Sequence, residues 1–311
     1  MRFRVFEIQK VLIMETRFLK TLLSVIDSNS IAAAARKENL TPSAVVQRLR
    51  ALEDEIGAPL VRRAGHSMRA TEAGTAVVET ARRIVAMADS LPGLANQNEE
   101  IGRVRVGIIH SMTTGLLPEI LSSMKDKRPG IQVEVQPGQS SDLFQRMIDG
   151  NLDAAILVEP PFAIPKEFTW HELRKDPLVL LCSIDETGDD PIAIIKNAPF
   201  IRYDRKHWGG RSAETYLRRL RINLQEKYEL DSLEAIAVLV NKGLGVSLVP
   251  DWLPPWPEGL FLRKIALDGA PFRGVGIIFP RLTPNERLVK AFAEEARVAA
   301  RLKNAARLPA E

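Results

Sequence analysis

The hydrophobic pattern changes near Ile101, and this change constrains the fold more than any other feature. Before it, apolar residues recur every three to four positions, as in packed helices. After it, short apolar strands alternate with helical segments. The strands are VRVGII, IQVEV and DAAIL, and the helices lie near residues 114–127 and 140–149. This alternation predicts a βαβαβ unit with a parallel sheet. At 311 residues the chain is also too long for one ordinary core.

The region before Ile101 begins with a predicted helix-turn-helix. Ser30 can cap a second helix, SIAAAARKEN, whose alanine run lets another helix cross at short range. Asn39 suits the left-handed position that ends this helix. Thr41 is the expected N-cap of a third helix, with Pro42 at its first position. After Gly57, the stretch LVRRAGHSMRAT predicts two short strands, a hairpin wing.

The third helix has two distinct faces. Ser43, Val46, Gln47 and Arg50 are spaced i, i+3, i+4 and i+7, so they share one face. The apolar stripe on the other face is formed by Val45, Leu49, Leu52 and Ile56. The apolar face predicts packing against the domain core. The polar face is then free to contact another molecule.

The charge distribution supports a polyanionic partner more than the net charge does. The net charge of +4 is only mildly basic. Basic side chains cluster on the third helix and the wing, namely Arg48, Arg50, Arg62, Arg63 and Arg69. Such a cluster is commonly just a solvated face. Beside a capped helix with a polar outer face, it favours contact with nucleic acid.

A heptad seam follows from Glu72. Apolar or small residues recur at spacings of four and three, at Ala73, Val77, Thr80, Ile84, Met87 and Leu91. This seam predicts one long helix, which Pro92-Gly93 should end or kink. Two interpretations stay open, because the seam can be the core of an ordinary helix or the contact with a partner helix in a dimer.

The part of the chain after Ile101 predicts two successive α/β blocks, a bilobed module. Function is expected between the lobes, where strands end and helices begin, since free N–H groups there bind anions. Ser111, Met112 and Thr113 follow the first strand, Ser140 follows the second, and Arg202-Tyr203 ends a strand of the second block. For the serines, the alternative is a plain N-cap; for Arg202, it is an ion pair with Asp204 or a solvated strand end.

Several classes of function lack their sequence patterns. The histidines show no metal-ligand spacing, and HExxH, GxSxG and phosphate-loop patterns are missing, which argues against an enzyme. We expect no cofactor. The single cysteine, Cys182, follows an apolar run and is expected to be a buried strand residue. No apolar run reaches the ~18 residues of a membrane span, so a cytoplasmic protein without membrane contact is expected.

The sequence resembles the LysR-type transcriptional regulators from Met14 onward. The stretch FLKTLLSVIDSNSIAAAARKENLTPSAVVQRLRALEDEIGAPLVRRAGHSMRATEAG is similar to the winged helix-turn-helix of that family. GNLDAAIL (150–157) and GLGVSLVP (243–250) resemble strands of its effector-binding module, which has a periplasmic-binding-protein-like fold. The resemblance implies double-stranded promoter or operator DNA and a small-molecule effector as partners, and a homodimer or a tetramer. Met14 stands where family members begin, so residues 1–13 are expected to be an extension.

The resemblance and the base chemistry together give two sets of candidate residues. Gln47 can pair with adenine, arginines can reach guanine or phosphate, and Val46 can contact a thymine methyl group. The DNA-binding set is Thr41, Ser43, Val46, Gln47, Arg48, Arg50, Arg63 and His66. The effector-binding set is Ser111, Met112, Thr113, Ser140, Arg202 and Tyr203, and Arg202 with the helix starts suggests an anionic effector. The order Thr-Pro-Ser-Ala-Val-Val departs from the Ser-Gln-Pro-Ala-Leu-Ser common in the family, so base preference does not carry over.

The expected architecture is therefore multi-domain. A winged helix-turn-helix spans residues 14–71, a linker or dimerisation helix 72–100, and a bilobed effector-binding module 101–311. Lobe one is expected at about 101–175 and 281–311, and lobe two at about 176–280. The rival hypothesis is a solute-binding protein with an added helical domain, which a secretory signal would favour; MRFRVFEIQKVLI does not have the pattern of one.

Overall fold

The computed structural model describes residues 14–65, 67–95 and 100–305. The chain forms two compact units, Met1–Asn96 and Gln97–Glu311. The expected extension at residues 1–13 and the wing residue His66 lie outside the described residues. Within the described ranges, no helix is long and apolar enough to cross a membrane.

The first unit has the element order of a winged helix-turn-helix followed by a long helix. Its elements are α1 (Thr16–Ser28), α2 (Ile31–Lys37), α3 (Pro42–Ile56), β1 (Val61–Ala64), β2 (Ser67–Ala70) and α4 (Glu72–Ala95). Strands β1 and β2 pair antiparallel as a hairpin. The predicted order of elements is confirmed.

Local chemistry sets the ends of these helices. The Ser30 hydroxyl accepts a hydrogen bond from the Ala33 amide at 3.3 Å, and the Thr41 hydroxyl accepts one from the Ala44 amide at 3.2 Å. Both predicted N-caps are confirmed. Asn39 adopts a φ of 55°, as expected at the end of α2. Gly57 ends α3 at a φ of 80°, a conformation that glycine adopts without steric cost.

A small apolar core holds the first unit together. Leu22, Val45, Leu52 and Leu60 are fully buried in it, and Ala34 and Ala35 allow the close approach of α2. Helix α4 lies against the start of the wing so closely that a side chain at Gly74 would meet the carbonyl of Leu60. The exit from the wing into α4 therefore needs glycine at this position.

Helix α4 continues through Pro92-Gly93 to Ala95, so the predicted end of the helix at this pair was wrong. The predicted seam has two parts. Ala73 and Val77 pack against the domain core. Ile84, Met87 and Leu91 are 37%, 57% and 61% exposed, so the C-terminal half of the seam lies outside this core. The side of α4 that faces the core instead carries Ala81, Val78 and Val85.

The second unit is α/β, with parallel strands at its start. Its first half contains β3 (Gly102–Ile109), α5 (His110–Thr113), α6 (Leu117–Lys127), β4 (Ile131–Gly138), α7 (Ser140–Ile148), β5 (Ala154–Val158) and β6 (Phe168–Ser183). Its second half contains α8 (Pro191–Asn197), β7 (Pro199–Tyr203), α9 (Trp208–Leu220), β8 (Gln225–Leu230), α10 (Leu233–Asn241), β9 (Ser247–Pro250), β10 (Leu262–Ala266), β11 (Phe272–Pro280) and α11 (Glu286–Ala305). Strand β3 pairs parallel with both β4 and β5, which confirms the predicted βαβαβ unit.

Strand β6 passes through both lobes. Residues 168–177 pair with β11, whereas residues from Leu178 onward pair with β9 and β10. In the sequence, only the second half, PLVLLCS (177–183), has the continuous apolar pattern of a buried strand. Pro177 looks like a strand boundary because proline cannot donate a ladder hydrogen bond. It is instead the residue at which β6 exchanges its pairing partners.

Strand β11 corrects the predicted boundary of the lobes. Residues 272–280 were expected in lobe two, but β11 pairs antiparallel with β5 and with the first part of β6. Lobe one is therefore built on the sheet order β6-β11-β5-β3-β4, covered by α6, α7 and α11. The chain returns to lobe one near residue 272, about nine residues earlier than expected.

Lobe two has a core on each side of its sheet. Successive residues of β7, Phe200 and Ile201, enter different apolar clusters, as the alternation of a strand requires. One cluster includes Tyr216 of α9, and the other includes Ile236 of α10. Cys182 lies in β6 and is fully buried in the first cluster, which confirms the predicted buried strand position.

Candidate functional site

The outer face of α3 is accessible, as the spacing of its residues predicts. Ser43, Gln47 and Arg50 are exposed and Val46 is half-buried, whereas Val45, Leu49 and Leu52 are buried on the opposite side. The Thr41 and Ser43 hydroxyls lie 3.0 Å apart at the start of the helix. In the described ranges, the side chains of Gln47 and Arg50 make no hydrogen bond or ion pair with the protein. They are therefore available to a partner.

Arg48 does not belong to this outer face. Its Nη1 atom lies 3.3 Å from the Thr21 hydroxyl and 3.4 Å from the Glu38 carboxylate. The Thr21 hydroxyl also donates to Glu38 at 2.7 Å. These contacts join α1, α2 and α3, so Arg48 has structural partners and does not lie on the outer face with Gln47 and Arg50, as its place in the candidate set implied. The helical spacing already points to this result, because Arg48 is one residue from Gln47 and so about 100° away around the helix.

The wing presents three exposed arginines, Arg62, Arg63 and Arg69. Arg62 and Arg69 are directly opposite each other in the hairpin register, so two like charges lie side by side on one face. Arg63 donates from Nε to the carbonyl of Gly65 at 3.2 Å. The candidate set omitted Arg62 and Arg69. The hairpin predicted from the sequence already pairs these two positions, so the signal for them was present. Two unneutralised charges at one cross-strand position are the feature expected of a surface that meets phosphate.

A cavity of about 250 Å³ lies between the two lobes of the second unit. Lobe one contributes Ile109, His110, Ser111, Gly138, Gln139, Ser140, Ser141 and Val158 to its lining. Lobe two contributes Tyr203, His207, Trp208, Gly209, Asp231, Ser232, Leu233, Glu234 and Trp252, and Arg273 lines it from the start of β11. Helices α7, α9 and α10 all begin at this cavity. The first amide groups and dipoles of α7 and α9 favour an anionic group there, whereas the start of α10 already carries the carboxylates of Asp231 and Glu234.

Three of the predicted effector residues line the cavity. Ser111 and Ser140 are nearly buried, at 8% and 7% exposure, and Tyr203 is buried at 8%. The Ser140 hydroxyl accepts a hydrogen bond from the Val158 amide at 3.1 Å, so it ties α7 to β5. The Ser111 hydroxyl has no hydrogen-bond partner in the described ranges. Of the two serines, Ser111 is thus the one with an unused polar group.

The other three predicted residues do not line the cavity. Met112 is fully buried in the core of lobe one. The Thr113 hydroxyl bonds the His110 carbonyl within its own turn. Arg202 is buried and binds the carboxylates of Glu214 and Glu226 on lobe two, so it is neither paired with Asp204 nor a solvated strand end, and it is not among the residues that line the cavity. Met112 and Thr113 lie in the short helix α5, where successive side chains point about 100° apart, and Arg202 lies in β7, where it points to the side opposite its neighbour Tyr203.

Arg273 is the basic residue that does line the cavity. Its Nη2 and Nε atoms donate to Asp176 at 2.6 and 3.1 Å, and all of these groups are buried. Asp176 also accepts from Arg174, whose Nη1 atom bonds the Asn304 side chain at 3.2 Å. Sequence reasoning missed Arg273 because PFRGVGIIF shows only an ordinary apolar strand. The pairing with Asp176 depends on two strands that are far apart in the sequence.

Tyr203 lies within reach of opposite charges in this cavity. Burial raises the pKa of its hydroxyl, Arg273 lowers it by its charge and a hydrogen bond, and Asp231 and Asp204 raise it by their charges. The raised pKa keeps the phenol protonated at neutral pH, so it can donate a hydrogen bond to a ligand.

In the described ranges, no group of three or more His, Cys, Asp or Glu side chains could hold a metal ion.

Comparison with known proteins decides the family. The description "Bacterial regulatory helix-turn-helix protein, lysR family" matches residues 16–75. The description "LysR substrate binding domain" matches residues 97–301, which is more than half of the chain. The chain belongs to the LysR family of transcriptional regulators. The helix-turn-helix match excludes the rival interpretation of a solute-binding protein with an unrelated helical domain.

Relatives of this LysR-type regulator agree with the assignment. The chain is 28% identical over 245 residues to the probable HTH-type transcriptional regulator LrrA of Synechococcus elongatus, covering 75% of this chain and 79% of the relative. It is similar in fold to a full-length OxyR variant from Pseudomonas aeruginosa, with a TM-score of 0.69, 21% identity and coverage of 93% and 97%. It is also similar to full-length CbnR in complex with its target DNA, with a TM-score of 0.63, 19% identity and coverage of 92% and 100%.

Family membership explains the two units. The protein is a DNA-binding transcriptional regulator, with a helix-turn-helix domain and an effector-binding domain of the LysR type. The outer face of α3 and the wing belong to the first, and the cavity between the lobes belongs to the second.

Proposed function

We propose that this LysR-type regulator reads duplex DNA with the outer face of α3 and the wing, and that a small molecule in the cavity between the lobes changes this binding or its transcriptional outcome. The observation that supports the DNA surface is the exposed, unpaired state of Gln47 and Arg50 beside the wing arginines. The observation that supports the cavity is a buried arginine, Arg273, in its lining.

The residues of α3 divide by chemistry. Gln47 can make paired hydrogen bonds to adenine, Arg50 can reach guanine or phosphate, and Val46 can pack on a thymine methyl group in the major groove. The hydroxyls of Thr41 and Ser43 and the start of the helix suit a phosphate. Arg63 of the wing is proposed to meet the adjacent minor groove or its phosphates, and His66, which lies outside the described residues, is proposed from the sequence to do the same.

The exposed part of the α4 seam is proposed to form a homodimer. Ile84, Met87 and Leu91 expose apolar surface at heptad spacing, and burial against a second copy would remove this surface from water. A dimer, or a tetramer of two dimers, would place two copies of α3 on half-sites about one DNA turn or a multiple apart. The operator is then expected to be roughly palindromic.

Gel shift tests the DNA surface directly. Full-length protein is titrated against a duplex from the promoter region beside its own gene and against random duplex of equal length. We expect tighter binding to the promoter duplex, and Gln47→Ala should reduce this preference. Gln145→Ala, an exposed glutamine on α7, serves as the matched control and should not change it. Equal binding of parent and Gln47→Ala to both duplexes would overturn the proposed role of α3.

The cavity is tested in the full-length protein by thermal shift with a library of small carboxylates, amines and zwitterions. A ligand of the cavity should raise the unfolding temperature of the parent and act less on Ser111→Ala, which removes the unused hydroxyl. A ligand that stabilises both proteins equally would bind elsewhere, and the effector would then have to be sought outside this cavity.

A further inference from the structure

The buried cluster to which the cavity-lining Arg273 belongs contains more positive than negative charge. Arg174 and Arg273 are 5% and 2% exposed, and both bind the same carboxylate, that of the fully buried Asp176. The further partner of Arg174 is the neutral side chain of Asn304. These three charged side chains carry one unbalanced positive charge. Because a buried charge without a counter-charge is unfavourable, the cavity favours an anionic group beside Arg273.

Neutral donors lie beside this charge. The hydroxyls of Ser111 and Tyr203 line the same cavity, and α7 begins there with Ser140 and Ser141. Ser111, whose hydroxyl has no partner among the described residues, is 8% exposed as a residue. Hydroxyl and amide donors around one arginine are the set that a carboxylate requires, because its two oxygens accept several hydrogen bonds.

The outer rim of the cavity has the opposite charge. Asp231 and Glu234 are exposed lining residues at the start of α10. Asp231 accepts a long hydrogen bond of 3.4 Å from Gln139 on lobe one, and Glu234 has no side-chain partner in the described ranges. Among the described lining residues, Arg273 is the only lysine or arginine. Besides Arg273, the basic side chains among the described lining residues are the imidazoles of His110 and His207, and His207 lies 3.5 Å from Asp204.

This arrangement discriminates between classes of ligand. A simple carboxylate gains at Arg273 but is repelled by the rim carboxylates, whereas a simple amine gains at the rim but is repelled by Arg273. A molecule that carries both charges gains at both ends. Specificity of this kind, which combines attraction with repulsion of the wrong ligand, is the usual way in which binding sites discriminate.

Size and wall chemistry restrict the ligand further. An apolar cavity of about 150 Å³ holds benzene, so the cavity of about 250 Å³ has room for a small apolar group and two charged ends. Trp208, Trp252 and Leu233 supply apolar wall to the same cavity. A small apolar side chain can lie against these residues.

We propose that the effector is a small zwitterion, a molecule with one carboxylate and one ammonium group such as a free amino acid. Its carboxylate binds Arg273 and the Ser111 hydroxyl, and its ammonium group binds Asp231 and Glu234. This inference depends on the proposed function, since it takes the cavity as the effector site. It replaces the expectation of a simple anion, which relied on Arg202.

The test is a titration of full-length protein with matched compounds. The probes are the twenty protein amino acids and the ω-amino acids from 3-aminopropanoate to 6-aminohexanoate, which vary the distance between the charges. Each is paired with the carboxylic acid that lacks its amino group and the amine that lacks its carboxylate. Binding is followed by tryptophan fluorescence, to which Trp208 and Trp252 contribute, and by thermal shift. At least one zwitterion should bind tenfold or more tightly than both of its paired compounds.

Variants separate the two ends of the site. Asp231→Asn combined with Glu234→Gln should weaken that zwitterion at least tenfold and leave its paired carboxylic acid unchanged or tighter. Arg273→Lys should weaken both compounds. Because Arg273 is part of a buried cluster, Ser111→Ala provides a second variant for the carboxylate end. Glu258 is an exposed acid outside the cavity lining, so Glu258→Gln is the control and should leave every affinity unchanged.

The possible outcomes distinguish this inference from the function on which it depends. If a simple acid binds as tightly as its zwitterion and loses affinity in Ser111→Ala, the zwitterion is wrong and the cavity remains the effector site. If no compound of the panel binds at millimolar concentration, the zwitterion proposal falls and the proposed role of the cavity stands. If compounds bind but are indifferent to every cavity variant, both fall.

Discussion

Arg273 and Asp176 lie opposite each other on β11 and β6, with Nη2 of the guanidinium 2.6 Å from the carboxylate. This is the point at which β6 leaves β11 and begins to pair with the strands of lobe two. The same arginine lines the cavity. A ligand bound to Arg273 would therefore contact a strand that connects the lobes. It could shift the equilibrium between two arrangements of the lobes only by as much as its binding free energies for the two arrangements differ.

The carboxylate of Asp176 should be essential for the stability of the second unit. Asp176→Asn leaves Arg174 and Arg273 buried without a counter-charge, and breaking a buried pair in this way costs about 3–5 kcal/mol. Urea unfolding of the full-length protein measures the loss. The matched control is Asp189→Asn, whose ion pair with Arg263 is exposed and should contribute under about 1 kcal/mol. A loss as small as that of the control would mean that another group compensates the arginines.

Gln47 and Arg48 are neighbours in sequence, but we expect their substitutions to have different effects. Gln47→Ala should relax preference at one base pair, by about 1–3 kcal/mol, without affecting folding. Arg48→Ala removes the contacts with Thr21 and Glu38 and should lower the free energy of unfolding by about 1–3 kcal/mol. Base preference, measured below the unfolding transition, should persist in Arg48→Ala. If Arg48→Ala changes base preference and leaves stability intact, the structural role given to Arg48 is wrong.

Local features of the fold were predictable from the sequence because their causes are local. The N-caps at Ser30 and Thr41 depend on a hydroxyl and amides two or three residues away, and the face of α3 depends on helical spacing alone. The βαβαβ unit followed from alternating periodicities. Ser111 and Ser140 were placed at the cavity because strand ends of a parallel sheet meet there.

Features that depend on contacts distant in sequence were not predictable in the same way. Arg202 has acids at Glu214 and Glu226 as its partners, which only the packing of α9 and β8 brings together. Arg273 is paired with a residue 97 positions away. Pro177 reads locally as a strand end, yet β6 continues through it because each half has its own neighbouring strands. In each case, contacts between segments distant in sequence determine the structure, and the local sequence pattern does not.

The arginine pair of the wing should favour DNA binding at a small cost in stability. Because Arg62 and Arg69 face each other, Arg62→Ala should stabilise the free protein slightly, by about 0.2–1 kcal/mol. The same variant should weaken binding to all duplexes and reduce the slope of log affinity against log salt by about one. Arg103→Ala, an exposed arginine of the second unit, is the control and should leave the slope unchanged. An unchanged slope in Arg62→Ala would remove this residue from the phosphate contacts.

Cys182 should be unreactive in the folded protein. Burial raises the pKa of its thiol to about 11, helped by the charge of Glu186 and opposed by Arg263. The thiolate needed for reaction is then scarce at neutral pH. Because the pKa is higher folded than unfolded, the thiol contributes stability that is present below about pH 9 and is lost as the pH rises towards 11. Labelling with a thiol reagent at pH 8 should follow global unfolding, with urea-unfolded protein as the fully reactive control. Fast labelling of the native protein would contradict this.

The exposed seam of α4 should hold two copies together. Ile84→Asp places a charge in the exposed seam that Ile84 forms with Met87 and Leu91. Burial of this seam against a second helix would remove the charge from solvent, which is unfavourable. Sedimentation of the full-length protein should then show a smaller species, and affinity for a two-half-site duplex should fall more than affinity for a single half-site. Thr75→Asp introduces the same carboxylate on the opposite, exposed side of α4 and should change neither result. Because Ile84 is not part of the buried core, the domain should remain folded. An unchanged mass for Ile84→Asp would show that assembly uses another surface.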